Sequence, residues 1–413
     1  MQAPAPTPIH LIRAHSSAIS AVAFSDDNER IYTGDATGLV VVTSTRSLRA
    51  LASWAAHTDG ILGVQEWDDG IITHARDNKI HVWKRPAQAS ASLGGSAAVP
   101  GLPTPELRYS MDVNALNYCR FSLLVLEGPG TSERQALIAV PNLVESSLAD
   151  IWTLPARERL HAAIGKGALD TPASDGRSAR NPTGIIMSMH LMSPSPSTDG
   201  ENSHRALRLL TSYENGSVRM WQYQNVQKER SIEGIGWACL WTAKLHVESV
   251  MAMAVSNDER LALSVSADHL IGRYDLQALE SNPASAETSC TIHRTKYPGN
   301  SAIALRPDGR VCAIGDWDGK TRLYSTKSLK SLGTLVYHKN GVQALAFANR
   351  SLQSQATNPK PVSSTVRPDD DSDSDDEDGM TAAEKESRTR WLVSGGKDGR
   401  VAIWELMDFG RKE

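Results

Sequence analysis

Arg390-Trp-Leu-Val-Ser-Gly-Gly-Lys-Asp-Gly-Arg-Val-Ala-Ile-Trp404 decides the fold. A short apolar strand ends at Ser394, a tight turn spans Gly396-Lys-Asp-Gly399, and a second strand runs from Val401 to Trp404. Glycine accepts the positive φ of such a turn, and aspartate can hydrogen-bond its own backbone. The β-branched and aromatic residues on either side suit a pleated, half-buried surface. One such hairpin is common, so its recurrence is what carries information.

The pattern recurs along the chain. Asp398 stands six places before Trp404 and Ser394 ten places before. Asp77 and Thr73 stand so to Trp83, Asn215 and Thr211 to Trp221, and Asp268 and Ser264 to Tyr274. Asp318 precedes Tyr324 by six, with Ile314 at the ten-before place. Weaker copies put Ser146 and Asn142 before Trp152, and Thr37 and Thr33 before Thr43. The seven anchors fall at 43, 83, 152, 221, 274, 324 and 404. The shortest interval, Thr43 to Trp83, matches the roughly 40–45 residues of a four-stranded propeller blade.

These repeats predict an all-β, seven-bladed β-propeller formed by residues 1–413 as one domain. Residues 8–13 form a strand with no repeat of their own, which is expected to complete the last blade and close the ring. Disordered polar insertions rich in Pro, Ser and Gly are expected near 85–104, 168–182, 193–204 and 350–389. The inner strands of the third and fourth blades are expected at Val113–Phe121 and Gly184–Met192. A turn histidine should open each complete blade, at His15, His57, His246, His293 and His338.

Composition narrows the class. Apolar residues make up 40% and charged residues 22% of the 413, and no apolar run of membrane-spanning length is present. The Pro-rich start has no basic and apolar regions of a secretory signal. Cys119, Cys239, Cys290 and Cys312 are scattered, which argues against a disulfide framework or zinc site and for a reducing compartment. The run Asp369–Asp378 holds eight acidic residues; removing their charge from the net −4 leaves the remainder at +4. That balance gives no expectation of direct nucleic-acid binding.

Three sets are expected to form buried hydrogen-bonded chains: His57/Thr73/Asp77/Trp83, His246/Ser264/Asp268/Tyr274 and His338/Ser394/Asp398/Trp404. Buried polar groups need partners, and these types supply them to one another. A Ser-His-Asp trio also suits a hydrolase, but these recur without a nucleophile elbow and should lie inside each blade. The expectation is therefore no enzyme, no cofactor, no metal and no small-molecule substrate. His74, Arg76 and Lys79 in the second hairpin are candidate partner contacts. Ser372 and Ser374, set among acidic residues, are candidate phosphosites.

The seven anchors resemble WD40 repeats that have lost most of their terminal aspartates. Several stretches are similar to the ASTRA-associated protein 1 family, itself related to G-protein β-subunit-like propellers. They are Leu11–Ile19, Tyr32–Val41, Asp69–Trp83, Met111–Cys119, Ser212–Trp221 and Gly395–Trp404; the block Thr73-His-Ala-Arg-Asp-Asn-Lys79 is the most specific. In that family an aromatic usually stands where this chain has Thr43, and the acidic run lies outside the shared pattern. The resemblance implies a non-enzymatic scaffold in the ASTRA complex, linked to chromatin remodelling. It also implies partners in the co-chaperone machinery that matures phosphatidylinositol-3-kinase-like kinases, and a nuclear location with the cytoplasm as a second compartment. The competing readings are a G-protein β-like signalling subunit, whose long N-terminal coiled-coil helix has no counterpart in the few residues before the first strand, and a histone-binding WD40 adaptor.

Overall fold

The computed structural model describes residues 6–86, 101–126, 134–168, 183–192, 207–225, 228–282, 286–350 and 380–409. Seven four-stranded antiparallel sheets follow one another around a ring, a seven-bladed propeller. Blade 1 comprises Ile19–Phe24, Arg30–Asp35, Leu39–Ser44 and Ala50–Ala55. Blade 2 comprises Ile61–Trp67, Gly70–Ala75, Lys79–Lys84 and Leu107–Asp112. Blade 3 has Ser122–Val125, Ala136–Pro141, Ala149–Leu154 and Arg159–Ile164, and blade 4 has Ile186–Met192, Arg208–Tyr213, Ser217–Tyr223 and Trp237–Lys244. Blade 5 has Val250–Val255, Leu261–Ser266, Leu270–Asp275 and Cys290–Arg294, and blade 6 has Asn300–Leu305, Val311–Asp316, Lys320–Ser325 and Ser331–Val336.

Blade 7 is built from both ends of the chain. Val342–Phe347, Trp391–Gly396 and Val401–Glu405 pair in order, and His10–Ile12 adds the outer strand. Its register sets His10 opposite Ile403, Leu11 opposite Ala402 and Ile12 opposite Val401. Ile9 N–H also donates to Ile403 O at 2.8 Å. The early strand thus covers what would otherwise be an open sheet edge.

The second strand of every blade is buried along its whole length, apart from the first residue of the blade 5 strand, Leu261, which is half-buried. Neighbouring blades cover both its faces, which is why these strands read as continuous apolar runs. Seven apolar clusters lie among the described residues, each shared by two adjacent blades. The cluster with Ile12, Ile19, Phe24, Val393 and Ile403 joins blade 7 to blade 1. There the backbones approach closely: a Cβ on Gly395 would stand 2.5 Å from Ile19 Cγ2. Gly34 and Gly315 make the same allowance for Ile61 and Val342 of the next blade.

Three expectations change. The stretch Val113–Phe121 is a loop rather than an inner strand, because Asn114 and Asn117 turn the backbone. Their Oδ1 atoms accept from Leu116 N–H and Cys119 N–H, each at 2.8 Å. The strand begins only at Ser122. The stretch expected as an insertion to 389 contains an ordered helix, Ala382–Arg388, with a reciprocal Thr381/Glu384 cap. Lys385 of that helix reaches Glu29 at 2.7 Å, and Thr45 Oγ1 donates to Met380 Sδ at 3.4 Å, so the segment seats against blade 1. His293 lies within the outer strand of blade 5, its ring 6.1 Å from Tyr324, and opens no turn. The remainder of the 350–389 stretch, with Ser372 and Ser374, falls outside the described residues, as do most of 85–104, 168–182 and 193–204. Among the described residues no helix is long and apolar enough to cross a membrane.

Candidate interaction surface

Blade 2 shows how the polar interior is held. Trp83 Nε1–H donates to Thr73 Oγ1 at 2.8 Å, and Thr73 Oγ1 lies 2.8 Å from His57 Nε2. His57 Nδ1 lies 3.0 Å from both carboxylate oxygens of Asp77. The direction follows from the ends: indole donates to hydroxyl, hydroxyl to Nε2, and Nδ1–H to carboxylate. This leaves the imidazole neutral. Burial pushes its pKa below the ordinary value against the pull of Asp77. Burial pushes Asp77 the other way, but Thr58 N–H and His57 outweigh it and hold the carboxyl low.

The other two expected sets have the same geometry. In blade 5, His246 sits 3.2 Å from Asp268 and 2.7 Å from Ser264 Oγ, which is 3.0 Å from Tyr274 Oη. In blade 7, His338 sits 3.1 Å from Asp398 and 2.9 Å from Ser394 Oγ, which accepts from Trp404 Nε1–H at 3.0 Å. A fourth network was not expected. In blade 1 His15 meets Asp35 at 2.9 Å and Thr33 Oγ1 at 2.7 Å. Its acid stands two places earlier than Thr37, the position the spacing selected, and Thr37 Oγ1 donates to it at 2.6 Å. The available signal was Gly34-Asp-Ala-Thr-Gly38, a turn with its own acid.

Blades 3, 4 and 6 use other chemistry. In blade 6 Arg322 bonds both Asp316 and Asp318, to the latter at 2.7 Å, and lies over the Tyr297 ring. Burial pushes the Asp316 carboxyl up to about 6 despite that guanidinium. In blade 4 Trp221 donates to Thr211 at 2.9 Å, with no histidine beyond it among the described residues. In blade 3 Trp152 is only half-buried. There Asn142 Nδ2 donates to the buried Asp150 at 2.8 Å, and Ser146 Oγ donates to Asn114 Oδ1 at 3.2 Å.

In all blades the turn between second and third strands faces the loop that enters the blade. Arg76 N–H donates to Gly60 O, Trp317 N–H to Gly299 O and Lys397 N–H to Gly341 O, each at 2.9 Å. These segments make up one face of the disc, called here the loop face. Arg76 is exposed on it, its guanidinium 4.5 Å above the Tyr118 ring. Lys79 is half-buried and bonded to Asp112. His74 is not a surface residue: it lies in the second strand of blade 2, which is covered on both faces, and sits 6.2 Å from Phe121. Burial pushes its pKa down to about 3, so it is neutral.

Among the described residues one group of metal-capable atoms, on His57, Asp77 and His81, falls within 4.8 Å. Both His57 nitrogens already serve Asp77 and Thr73, and His81 stacks on that ring at 4.3 Å while its Nδ1 meets Ser110 Oγ at 2.8 Å. A metal here would have to break the staple, so the arrangement reads as a stacked pair.

Inward from the loop face lies the central channel, a cavity of about 180 Å³. Each blade contributes at or just before the head of its inner strand: Ser20, Leu62, Arg120, Met187, Met251, Ser301 and Gln343. Among the described residues Arg120 is the single charged residue of this lining. Tyr118 lines the same cavity and is exposed on the face, so it stands at the channel mouth. No linear pattern marks Arg120, since only ring closure brings the seven inner-strand entries together.

The WD domain, G-beta repeat family matches residues 6–43. Over nearly the whole chain the protein is similar to ASTRA-associated protein 1 of Aspergillus niger, at 30% identity covering 98% of each chain. It is 31% identical to ASTRA-associated protein 1 of Verticillium alfalfae, over 97% of this chain and 93% of that one. The protein of the same name from Schizosaccharomyces pombe is 26% identical over 83% of this chain and 93% of its own length.

Proposed function

The chain belongs to the ASTRA-associated protein 1 family, and on that premise we propose that it is a non-catalytic scaffold subunit of an ASTRA assembly. The observation that carries this is the near full-length similarity to proteins of that name, joined to a closed seven-bladed propeller. A closed ring of this kind presents a rigid surface with little ordering cost on binding. The His-hydroxyl-Asp sets support a scaffold rather than a hydrolase, because each hydroxyl is engaged by its own indole or phenol as well as by histidine. We place the chain in the nucleus, with partners in the assembly that remodels chromatin and in the co-chaperone machinery serving phosphatidylinositol-3-kinase-like kinases. Ser372 and Ser374 are proposed targets of an acid-directed kinase, their phosphates extending an already acidic docking run.

The test is affinity purification of the tagged full chain followed by identification of what co-purifies. Recovery of ASTRA or co-chaperone subunits is expected. A stoichiometric G-protein γ-like partner in their place would overturn the proposal. A chain lacking residues 366–380 should recover less of the assembly if the acidic run docks, and undiminished recovery would remove that role.

A further inference from the structure

Blade 3 brings an apolar patch and an unanswered cation together. Leu116 and Tyr118 on its entry loop, and Leu143 and Val144 on its second turn, are exposed, Leu116 by 73% and Val144 by 90%. Asn114 Nδ2 donates to Asn142 O at 2.5 Å and Asn117 Nδ2 to Ser146 O at 3.1 Å, so the two segments lie side by side. Tyr118 continues the patch into the channel mouth, where Arg120 follows. Among the described residues the Arg120 guanidinium has neither a hydrogen bond nor an ion pair, while the residues the other six blades place at the channel are uncharged.

Solvent reaches Arg120 through the channel, yet protein surrounds it, and burial pushes its pKa below the ordinary value. Arginine remains charged even so. A cation in this position keeps channel water as its partner and gains no counter-charge among the described residues, so it adds little to the fold. A carboxylate would answer it with two parallel N–H···O bonds. The cavity, about 180 Å³, is below the roughly 300–1,000 Å³ of small-molecule sites, and has room for one side chain rather than a cofactor.

We propose that this surface docks a partner protein through an acidic side chain that enters the channel to Arg120, while apolar neighbours of that residue lie on Leu116, Tyr118, Leu143 and Val144. The proposal rests on the scaffold reading and names the surface that does the holding. The arrangement follows the usual anatomy of interfaces, in which a desolvated charged contact is surrounded by apolar contacts that exclude water.

The probe is a fluorescent peptide alternating Leu and Glu, with the same peptide bearing Gln as its control. Fluorescence anisotropy with the full chain should show binding of the Glu peptide only. Arg120→Gln should weaken it about tenfold or more, and Val144→Asp should weaken it by repelling the acidic peptide. Lys397→Gln, which removes a charge elsewhere on the same face, should leave it unchanged. Arg120→Gln should melt at the wild-type temperature, separating lost recognition from lost folding. Equal weakening by Lys397→Gln would reduce the effect to general charge attraction and overturn the proposal. So would inorganic phosphate displacing the peptide at equal concentration, or self-association of the chain that Arg120→Gln abolishes. Full recovery of ASTRA subunits by Val144→Asp would sink this surface and leave the scaffold reading standing, whereas their absence from wild-type purifications would sink that reading instead.

Discussion

Blades 2 and 3 are neighbours with the same four-stranded topology and opposite allocations of their polar residues. Blade 2 spends its histidine, hydroxyl and aspartate on one another: His57, Thr73, Asp77 and Trp83 form one chain from the strand core to the turn. Blade 3 has asparagines instead, and these bind backbone, drawing its entry loop against its second turn. The first arrangement locks an interior. The second supports a surface on which large apolar side chains remain exposed beside the channel. Within one ring, stability and recognition have been given to different blades.

The largest effect expected from this contrast lies in the anchors. Trp83→Ala removes a buried indole and its hydrogen bond, and should cost about 3–5 kcal/mol by denaturant melts. Trp152→Ala, from a half-buried site, should cost clearly less; equal losses would erase the distinction. Next comes Asp77→Ala, which strands His57 Nδ1–H and Thr58 N–H. A loss of roughly 1–3 kcal/mol is expected, and an unchanged melt would remove the staple from blade 2.

Acid should probe the same difference. His15, His57 and His246 have pKa values lowered in the folded state, chiefly by burial, so the unfolded chain binds more protons. Stability is therefore complete above the unfolded value of 6.5 and falls as pH drops below it. Asp35 and Asp77 are also lowered, so their contribution, present above 3.8, is lost on further acidification. A His57→Asn chain should show a shallower fall between pH 7 and 5, while Asn142→Ser should fall as steeply as wild type. The smallest expected effect is Arg76→Ala, which loses a surface cation–π contact with Tyr118 and about 0.5–1 kcal/mol at most.

The hairpin spacing made blades 2, 5 and 7 readable because each of their polar positions serves one hydrogen-bonded chain, and geometry fixes the intervals. The same spacing misjudged blade 1, where Asp35 supplies the acid from two places earlier and Thr43 leaves the anchor position without an indole. His293 satisfied a distance along the chain but sits in an outer strand, which linear spacing cannot distinguish from a turn. His74 belongs to the same hairpin as the exposed Arg76, yet it stands in the strand that neighbouring blades cover on both faces, which position in a hairpin does not reveal. Val113–Phe121 carries apolar residues suited to a strand, and two asparagine side chains bonding local backbone override them. Tyr32 and Glu66 form a buried 3.0 Å link between blades 1 and 2 that no local pattern announces.

The most direct test pairs stability with binding in two substitutions on adjacent blades. Melting temperature and affinity for the Leu-Glu peptide would be measured for Asp77→Ala and Arg120→Gln in the full chain. The account predicts that Asp77→Ala lowers the melt and keeps the affinity, while Arg120→Gln keeps the melt and loses the affinity. An Arg120→Gln chain that melts early and binds as well as wild type would contradict it.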